Sequence, residues 1–331
     1  MEIHPRPLLS VEGLTVEIAG ANVVDGISFS VAPGKVMALV GESGCGKSLT
    51  CYAMLGLLPP AARRSGGHIR LDDRDLTALS QRDMRKTRGK DISIIFQEPS
   101  ASLDPLTTVG AQIAAAYRTH HNVPRAEAHA RARRMLADVG IPDPDRRFHQ
   151  YPFELSGGMC QRIMISIALI CSPRVLVADE PTTALDVTIQ AQILDLMKKL
   201  VAERGTSIVI ITHDMGVVAD IADDVAVMYA GRIAEIAPVQ ILFEKPQHPY
   251  TALLLASIPK LSDAPKADLA TIEGRVPTPN EFGAGCRFAD RCPLATEKCR
   301  AEQPPLFDRG GGHRSACWHI DRMAEIREVA A

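Results

Sequence analysis

The sequence has 331 residues, of which 46% are hydrophobic and 23% are charged, and this average composition excludes a disordered, collagen-like or coiled-coil chain. Its 37 basic and 39 acidic residues leave a net charge of −2, so no basic excess points to nucleic acid and we expect no nucleic-acid partner. No apolar run approaches the ~20 residues of a membrane helix, and the first residues lack a signal-peptide pattern. The chain is therefore expected to stay in the cytosol with its cysteines reduced.

The first ~240 residues alternate apolar strands with helical stretches, a pattern that predicts a mainly parallel sheet covered by helices. The opening residues, Leu8–Ile18 and Ile27–Val31, instead predict short antiparallel strands. Buried strands are then predicted, in chain order, at Val36–Val40, Ile92–Phe96, Val175–Ala178, Ser207–Ile211 and Asp224–Met228.

Two further regions interrupt or follow this α/β pattern. Val109 to Ile170 is almost wholly helical in character, which predicts a helical subdomain inserted at about residues 98–171. After Pro238 the chain becomes rich in Pro and Gly and loses clear periodicity. We therefore expect two domains, residues 1–240 and a small loop-rich C-terminal module at 241–331.

The strongest functional signal is a loop between the strand Val36–Val40 and a helical stretch that includes Leu49. This phosphate loop reads Gly41-Glu42-Ser43-Gly44-Cys45-Gly46-Lys47-Ser48, which is the G-x-x-x-x-G-K-S pattern in its required strand–loop–helix context. Its glycines let successive N–H groups face phosphate oxygens of ATP. Lys47 is expected to reach the β- and γ-phosphates and Ser48 to bind Mg²⁺. The alternative, a glycine-rich turn that binds nothing, is disfavoured by this context.

A pair of carboxylates follows the predicted strand Val175–Ala178. Asp179, at the end of that strand, is placed to hold Mg²⁺, and Glu180 to polarise the attacking water. The pair would be equally consistent with an acidic turn at the sheet edge if it stood alone. The phosphate loop favours the catalytic interpretation.

Just before these carboxylates the chain reads Leu155-Ser156-Gly157-Gly158-Met159-Cys160-Gln161-Arg162. This string resembles the signature of ABC-type ATPases, and three further motifs of that family occur in the family's order: Gln97 after a strand, Thr183-Ala184-Leu185-Asp186, and His213 after the strand Ser207–Ile211. The resemblance covers about residues 8–240. It implies an α/β P-loop NTPase fold with a mainly parallel sheet, an antiparallel β subdomain and an inserted helical subdomain.

The resemblance also implies roles for single residues. Ser156, Gly157 and Gly158 would face the γ-phosphate bound by an opposite ATPase subunit, so that ATP joins two nucleotide domains. Gln97 would sense Mg²⁺ and the γ-phosphate, and His213 would hold the γ-phosphate and position the water of Glu180.

Asp186 would cross the interface between the two ATPase subunits and couple their sites. One departure concerns the base of the nucleotide. Relatives commonly stack adenine on an aromatic residue near position 18, and this chain has Ile18 there, which implies weaker or less selective adenine packing.

Two stretches point to one branch of the family. Phe96 to Pro105 and the tail from Pro246 to Leu254 look like the ATPase subunits of oligopeptide and dipeptide importers, a branch that also includes nickel and glutathione importers. The resemblance implies a peripheral subunit on the cytoplasmic face of the membrane, with a homologous ATPase subunit, two permeases and an extracytoplasmic substrate-binding protein as partners. A soluble ABC ATPase outside transport is the rival class, and the chain lacks the long coiled coil or second cassette typical of it.

Four cysteines in the tail, Cys286, Cys292, Cys299 and Cys317, have the spacing C-x5-C-x6-C-x17-C. Four thiolates in a cytosolic, loop-rich module can hold an iron–sulfur cluster or Zn²⁺, because metal binding stabilises a small domain with little core. The spacing is neither that of a zinc ribbon nor that of a ferredoxin. The branch resemblance favours a [4Fe–4S] cluster, with Zn²⁺ next and unligated cysteines as the remaining alternative.

Overall fold

A computed structural model describes residues 6–182, 186–258 and 271–329. The chain forms two compact units. The first comprises Val31–Lys35 and Leu71–Ile211 together with the segment that ends at Leu9, and the second comprises Ser10–Ser30, Val36–Arg70 and the segment from Thr212 onward. The boundary predicted near residue 240 stays a prediction.

Strands β1 to β12 are, in chain order, Leu9–Ile18, Ala21–Val31, Val36–Val40, Ala62–Leu71, Arg74–Asp75, Ile92–Ile95, Val175–Asp179, Ser207–Ile211, Asp224–Tyr229, Arg232–Pro238, Phe307–Asp308 and Arg314–Ser315. Helices α1 to α13 are Lys47–Met54, Gln81–Thr87, Pro99–Ser102, Val109–His120, Arg125–Asp138, Pro144–Arg147, Gly157–Leu169, Val187–Arg204, Met215–Ile221, Val239–Glu244, Pro249–Ala256, Glu297–Ala301 and Met323–Val329. No helix in these described ranges combines the length and apolarity needed to cross a membrane.

The first unit contains a parallel sheet. Strand β7 pairs with β6 on one side and with β8 on the other, in registers that place Ile92 opposite Val175 and Val175 opposite Ser207. Strands β7 and β8 are buried along their whole length, as expected of strands covered on both faces. Between β6 and β7 the chain forms α3 to α7, and α4, α5 and α7 pack against one another. The parallel sheet and the inserted helices confirm the predicted fold class.

The second unit combines parallel and antiparallel pairing. Strand β9 runs parallel to β3, which leads into the phosphate loop, and antiparallel to β10. The sheet continues through β12 and β11, both from the C-terminal module. A separate sheet in this unit contains β2, β1 and β4 side by side.

The C-terminal module is more regular than its sequence suggested. Helix α11 begins with Pro249 and is capped by His248, whose Nδ1 accepts a hydrogen bond from the Tyr250 N–H at 3.1 Å. Proline at the first helical position supplies a fixed φ at no hydrogen-bond cost. The loop-rich module thus also contains the helix α11 and the strands β11 and β12, which are too short to give a periodic pattern.

A buried carboxylate joins this module to the central sheet of the second unit. Glu235 of β10 is completely buried and accepts hydrogen bonds from the backbone N–H groups of Gln247 at 2.6 Å and His248 at 3.0 Å. Nε2 of His313 lies 2.6 Å from its Oε1. All three partners come from the C-terminal module, so that module satisfies a polar group that the strand alone would leave unpaired.

Candidate functional site

The phosphate loop lies in the second unit, between β3 and α1, and its glycines have backbone conformations that other residues rarely adopt. Gly41, Gly44 and Gly46 have φ angles of 148°, 81° and 97°. A Cβ atom on Gly41 would lie 2.1 Å from the backbone oxygen of Met228, and one on Gly46 would lie 2.9 Å from a methyl group of Val24. These two positions therefore require glycine, and the loop can curl tightly enough to expose its N–H groups.

The side chain of Lys47 folds back over the phosphate loop. Only 7% of the residue is exposed, and its Nζ donates to the carbonyl oxygens of Gly41 at 2.7 Å and Glu42 at 3.0 Å. The ammonium group is thus held inside the curve of the loop. Lys47, Ser48 and Leu49 form the first turn of α1, where N–H groups lack intrahelical acceptors and favour an anion. Ser43 and Gly44 are exposed at the tip of the loop.

The paired carboxylates lie in the first unit, at the end of β7. Asp179 is the last residue of the strand and is completely buried. Glu180 has a φ of 48°, a left-handed conformation that costs a non-glycine residue about 1–3 kcal/mol and that clusters at active sites. The backbone N–H of Glu180 donates to the carbonyl oxygen of Ile211 at 3.0 Å, which holds the residue in this conformation.

Gln97, which follows β6, contacts one of these carboxylates. Its Nε2 donates to Oε2 of Glu180 at 3.1 Å. Gln97, expected to sense Mg²⁺ and the γ-phosphate, and Glu180, expected to polarise the attacking water, are 83 positions apart in sequence and are in contact within the first unit.

The signature string forms the beginning of α7. Ser156 is the N-cap, and its Oγ accepts from the Met159 N–H at 3.4 Å. A Cβ atom on Gly157 would meet no atom within 4 Å, so this glycine leaves the first turn of the helix open. Asp186 caps α8, since its Oδ1 accepts from the Ile189 N–H at 2.9 Å.

Residues at the start of α7 and α8 line one open pocket of about 880 Å³, a volume that includes the open space at its mouth. The structure thus brings Ser156, Gly157, Gly158 and Asp186 together. Thr183, Ala184 and Leu185 of the same predicted motif lie outside the described residues.

Sequence reasoning gave no role to Gln161 and Arg162, although both belong to the signature string. Nε2 of the buried Gln161 donates to the carbonyl oxygen of Pro181 at 2.6 Å, and so ties α7 to the residue after Glu180. Arg162 lines the open pocket and donates to the carbonyl oxygen of Val139 at 2.6 Å. Their place in the signature string was the only signal that the sequence offered for them.

His213 lies in the second unit, after β8, and is exposed. Its neighbours fix the local backbone: the Asp214 N–H donates to Oγ1 of Thr212 at 3.0 Å, and Oδ1 of Asp214 accepts from the Gly216 N–H at 2.8 Å. The ring therefore projects from a rigid turn. Its role, like those of the other predicted site residues, stays a prediction.

The four cysteines of the C-terminal module converge on one pocket. Cys286, Cys292, Cys299 and Cys317 all line a mainly apolar pocket of about 310 Å³ in the second unit, and all are free thiols. In the described part of the chain, no group of three or more His, Cys, Asp or Glu side chains is arranged so that it could hold a metal ion. The four thiols therefore line the same cavity, but they are not arranged around a single ion.

Burial raises the pKa of three of these thiols. Desolvation and the neighbouring thiols raise the pKa of Cys292 to about 12 and that of Cys317 to about 11. The pKa of Cys286 is raised mainly by burial as well. Because a metal binds the thiolate, any metal that entered would displace these protons.

Two family models match the chain: ABC transporter at residues 24–183, and oligopeptide/dipeptide transporter C-terminal region at residues 234–299. Similar proteins include a probable peptide ABC transporter ATP-binding protein of Sinorhizobium fredii, 47% identical over 98% of this chain and 99% of that protein. The dipeptide transport ATP-binding protein DppD of Bacillus subtilis is 48% identical over 96% of each chain.

Solved structures agree on the fold. The structure of cbiO1 from Clostridium perfringens, part of an ABC transporter complex, has a TM-score of 0.63 and 28% identity, and covers 73% of this chain and 92% of its own. A dimeric ATP-binding cassette with ADP and phosphate has a TM-score of 0.64 and 24% identity over 70% of this chain and 98% of its own. From the near-full-length identity and the two family models, the chain belongs to the ATP-binding proteins of peptide-type ABC transporters.

Proposed function

We propose that this protein is the ATP-hydrolysing subunit that powers import of oligopeptides or dipeptides through a membrane ABC transporter. The observation that carries the proposal is the presence, in one chain, of the ABC cassette and the oligopeptide/dipeptide C-terminal region. Relatives at 47–49% identity are named as peptide, dipeptide and oligopeptide transport proteins. Import of nickel or glutathione by the same machinery is the main alternative, and a soluble ABC ATPase is the weaker one.

In this proposal the phosphate loop from Gly41 to Ser48, with Leu49, binds the phosphates of ATP through its N–H groups and Lys47. Ser48, Gln97 and Asp179 are the candidate ligands of Mg²⁺, which offsets the phosphate charge when bound. Glu180 accepts the proton of the attacking water, and His213 orients that water and the γ-phosphate. The held, left-handed backbone of Glu180 supports this role, since the carboxylate is positioned before the substrate arrives.

The partner subunits follow from the same proposal. The open pocket beside Ser156 and Asp186 suits contact with the nucleotide of a second, homologous ATPase subunit. Two permeases and an extracytoplasmic substrate-binding protein complete the transporter, and place this chain at the cytoplasmic face of the membrane. The permeases and the binding protein would select the substrate.

The proposal predicts peptide-dependent ATP hydrolysis in the assembled complex. The complex with its permeases and partner ATPase is purified in mild detergent, placed in proteoliposomes, and supplied with the binding protein and a panel of di- to pentapeptides, nickel and glutathione. We expect peptides to raise ATP hydrolysis and to accumulate inside. If nickel or glutathione alone stimulates hydrolysis, the transported substrate is that molecule rather than a peptide. A chain that never co-purifies with permeases would contradict the transport role.

We further propose that the cysteine pocket holds a [4Fe–4S] cluster, with Zn²⁺ as the alternative. The residues present fit such a group. Among the described residues, four thiols and no acidic side chain line one cavity, and a cluster of several irons can bind thiolates that do not meet at one ion. The role of the group is structural, because it would join loop segments that are far apart in the sequence of the module.

This metal proposal predicts about four irons per chain, with sulfide, after anaerobic purification, and a broad absorption band near ~400 nm. Serine at all four positions, Cys286, Cys292, Cys299 and Cys317, is expected to abolish the iron and the band. Cys171→Ser is the matched control, because this cysteine lies outside the pocket. Stoichiometric zinc would support the alternative, and a metal-free protein that still binds ATP would contradict both.

A further inference from the structure

The C-terminal module contacts the beginning of the phosphate loop. Arg291 makes a bidentate ion pair with Glu42, the second residue of the loop, at 2.7 and 3.1 Å. The Arg291 side chain is only 6% exposed. A planar guanidinium that binds a carboxylate at both oxygens fixes its direction as well as its position.

The remaining donors of Arg291 anchor it within the second unit. It donates to the carbonyl oxygens of Ile272 and Glu273, each at 2.8 Å, and lies 3.3 Å from the hydroxyl of Tyr229. The position of the guanidinium is therefore fixed by Ile272, Glu273 and Tyr229 independently of its pairing with Glu42.

A second contact reaches the backbone of the same residue. The N–H of Glu42 donates to the hydroxyl of Tyr250 at 2.9 Å. Tyr250, the second residue of α11, is completely buried and packs against Tyr229 and Phe288 with ring centroids 4.7 and 5.4 Å apart. Both the side chain and the backbone of Glu42 are thus fixed by the C-terminal module.

A third link between the module and the loop is indirect and passes through Ala230 and Gly231. Arg287 donates to the carbonyl oxygen of Ala230 and pairs with Asp25. The next residue, Gly231, donates its N–H to the carbonyl oxygen of Cys45 at 3.1 Å. The module therefore supports the phosphate loop at two places, three residues apart.

We propose that Arg291, Tyr250 and Arg287 are positioning residues that hold the phosphate loop in its nucleotide-binding shape, so that the affinity of the chain for MgATP depends on the C-terminal module. This inference rests on the proposed role of the loop in binding ATP. The module acts through the geometry of the loop.

The test measures the Kd of MgATP for full-length variants by equilibrium fluorescence, beside the Tm of each. Losing a buried, charge-assisted pair is expected to weaken MgATP binding about threefold to tenfold in Arg291→Met and about threefold in Tyr250→Phe. Tyr250→Phe keeps the ring packing and removes only the hydroxyl. Arg275→Met is the matched control, because Arg275 forms an exposed ion pair with Glu281 in the same module, and its Kd should equal that of the wild type.

Two further readouts separate positioning from mere structural support. Amide hydrogen exchange of the peptide that contains residues 41–47 should accelerate in both variants, while exchange in β7 and β8 stays unchanged. Adding Glu42→Gln to Arg291→Met should weaken binding no further, because both changes remove the same contact.

Wild-type Kd and wild-type exchange in the loop would overturn the inference, as would a lower Tm with an unchanged Kd. If the wild-type chain itself fails to bind MgATP, the proposed function fails instead.

Discussion

Glu180→Gln is expected to reduce ATP hydrolysis by about 10²-fold or more, the scale of losing a general base, while MgATP binding is retained. The amide keeps the size of the side chain and can still contact Gln97, but it cannot accept a proton. With the γ-phosphate intact, two ATPase subunits should remain joined, so size-exclusion chromatography with MgATP should show a stable dimer. Phosphate release by the assembled complex gives the rate.

Glu203→Gln is the matched control for this variant. Glu203 lies near the end of α8, is exposed, and forms an ion pair with Lys199 at 3.9 Å. We expect wild-type hydrolysis and no trapped dimer. Wild-type turnover in Glu180→Gln would remove Glu180 from the role of base, and an unstable or aggregated variant would show in its Tm before any conclusion about catalysis.

Gly41→Ala is expected to weaken MgATP binding about tenfold or more, since overpacking a site of this kind typically costs ~1–3 kcal/mol. The added Cβ would lie 2.1 Å from the backbone oxygen of Met228 and 3.0 Å from Sγ of Cys45. Met228 belongs to β9, whose pairing with β10 leaves its backbone little freedom to retreat. The phosphate loop must therefore move, and its N–H groups turn away from the phosphates.

Gly44→Ala provides the comparison, because a Cβ at Gly44 would meet nothing within 4 Å although its φ is 81°. Its cost should be that of backbone strain alone, about 1–2 kcal/mol, with nucleotide affinity reduced less than in Gly41→Ala. Equal affinities of the two variants, measured by the same titration, would show that the contact with Met228 does not hold the loop.

The local parts of this fold were predictable from sequence. Strands β3 and β8 begin and end at the predicted residues, because each is dominated by a short run of β-branched and other apolar residues that ends at a glycine or polar residue. The phosphate loop was equally predictable from sequence, because the positive φ angles of its backbone require glycine at fixed positions. The contact between Gln97 and Glu180 could be anticipated only through the family resemblance.

The contacts of the C-terminal module were not predictable in the same way. Arg291 and Glu42 are separated by 249 residues, and nothing in the pattern around either one selects the other. The cysteines were identified as a set by their number and spacing, but their convergence on one cavity depends on how loops without periodicity pack. Long-range packing of irregular chain leaves no local signature in the sequence.

The buried Glu235 bears on how this chain could be divided. The match to the ABC transporter family ends at residue 183, and the match to the oligopeptide/dipeptide C-terminal region begins at residue 234. This separation in sequence suggests two exchangeable parts. A cassette cut after β10 would keep the carboxylate and lose His313 together with the Gln247 and His248 amides. A buried charge deprived of its partners is strongly destabilising. The tail therefore stabilises β10, and a shortened cassette is expected to fold better when Glu235 is replaced by an apolar residue of similar size.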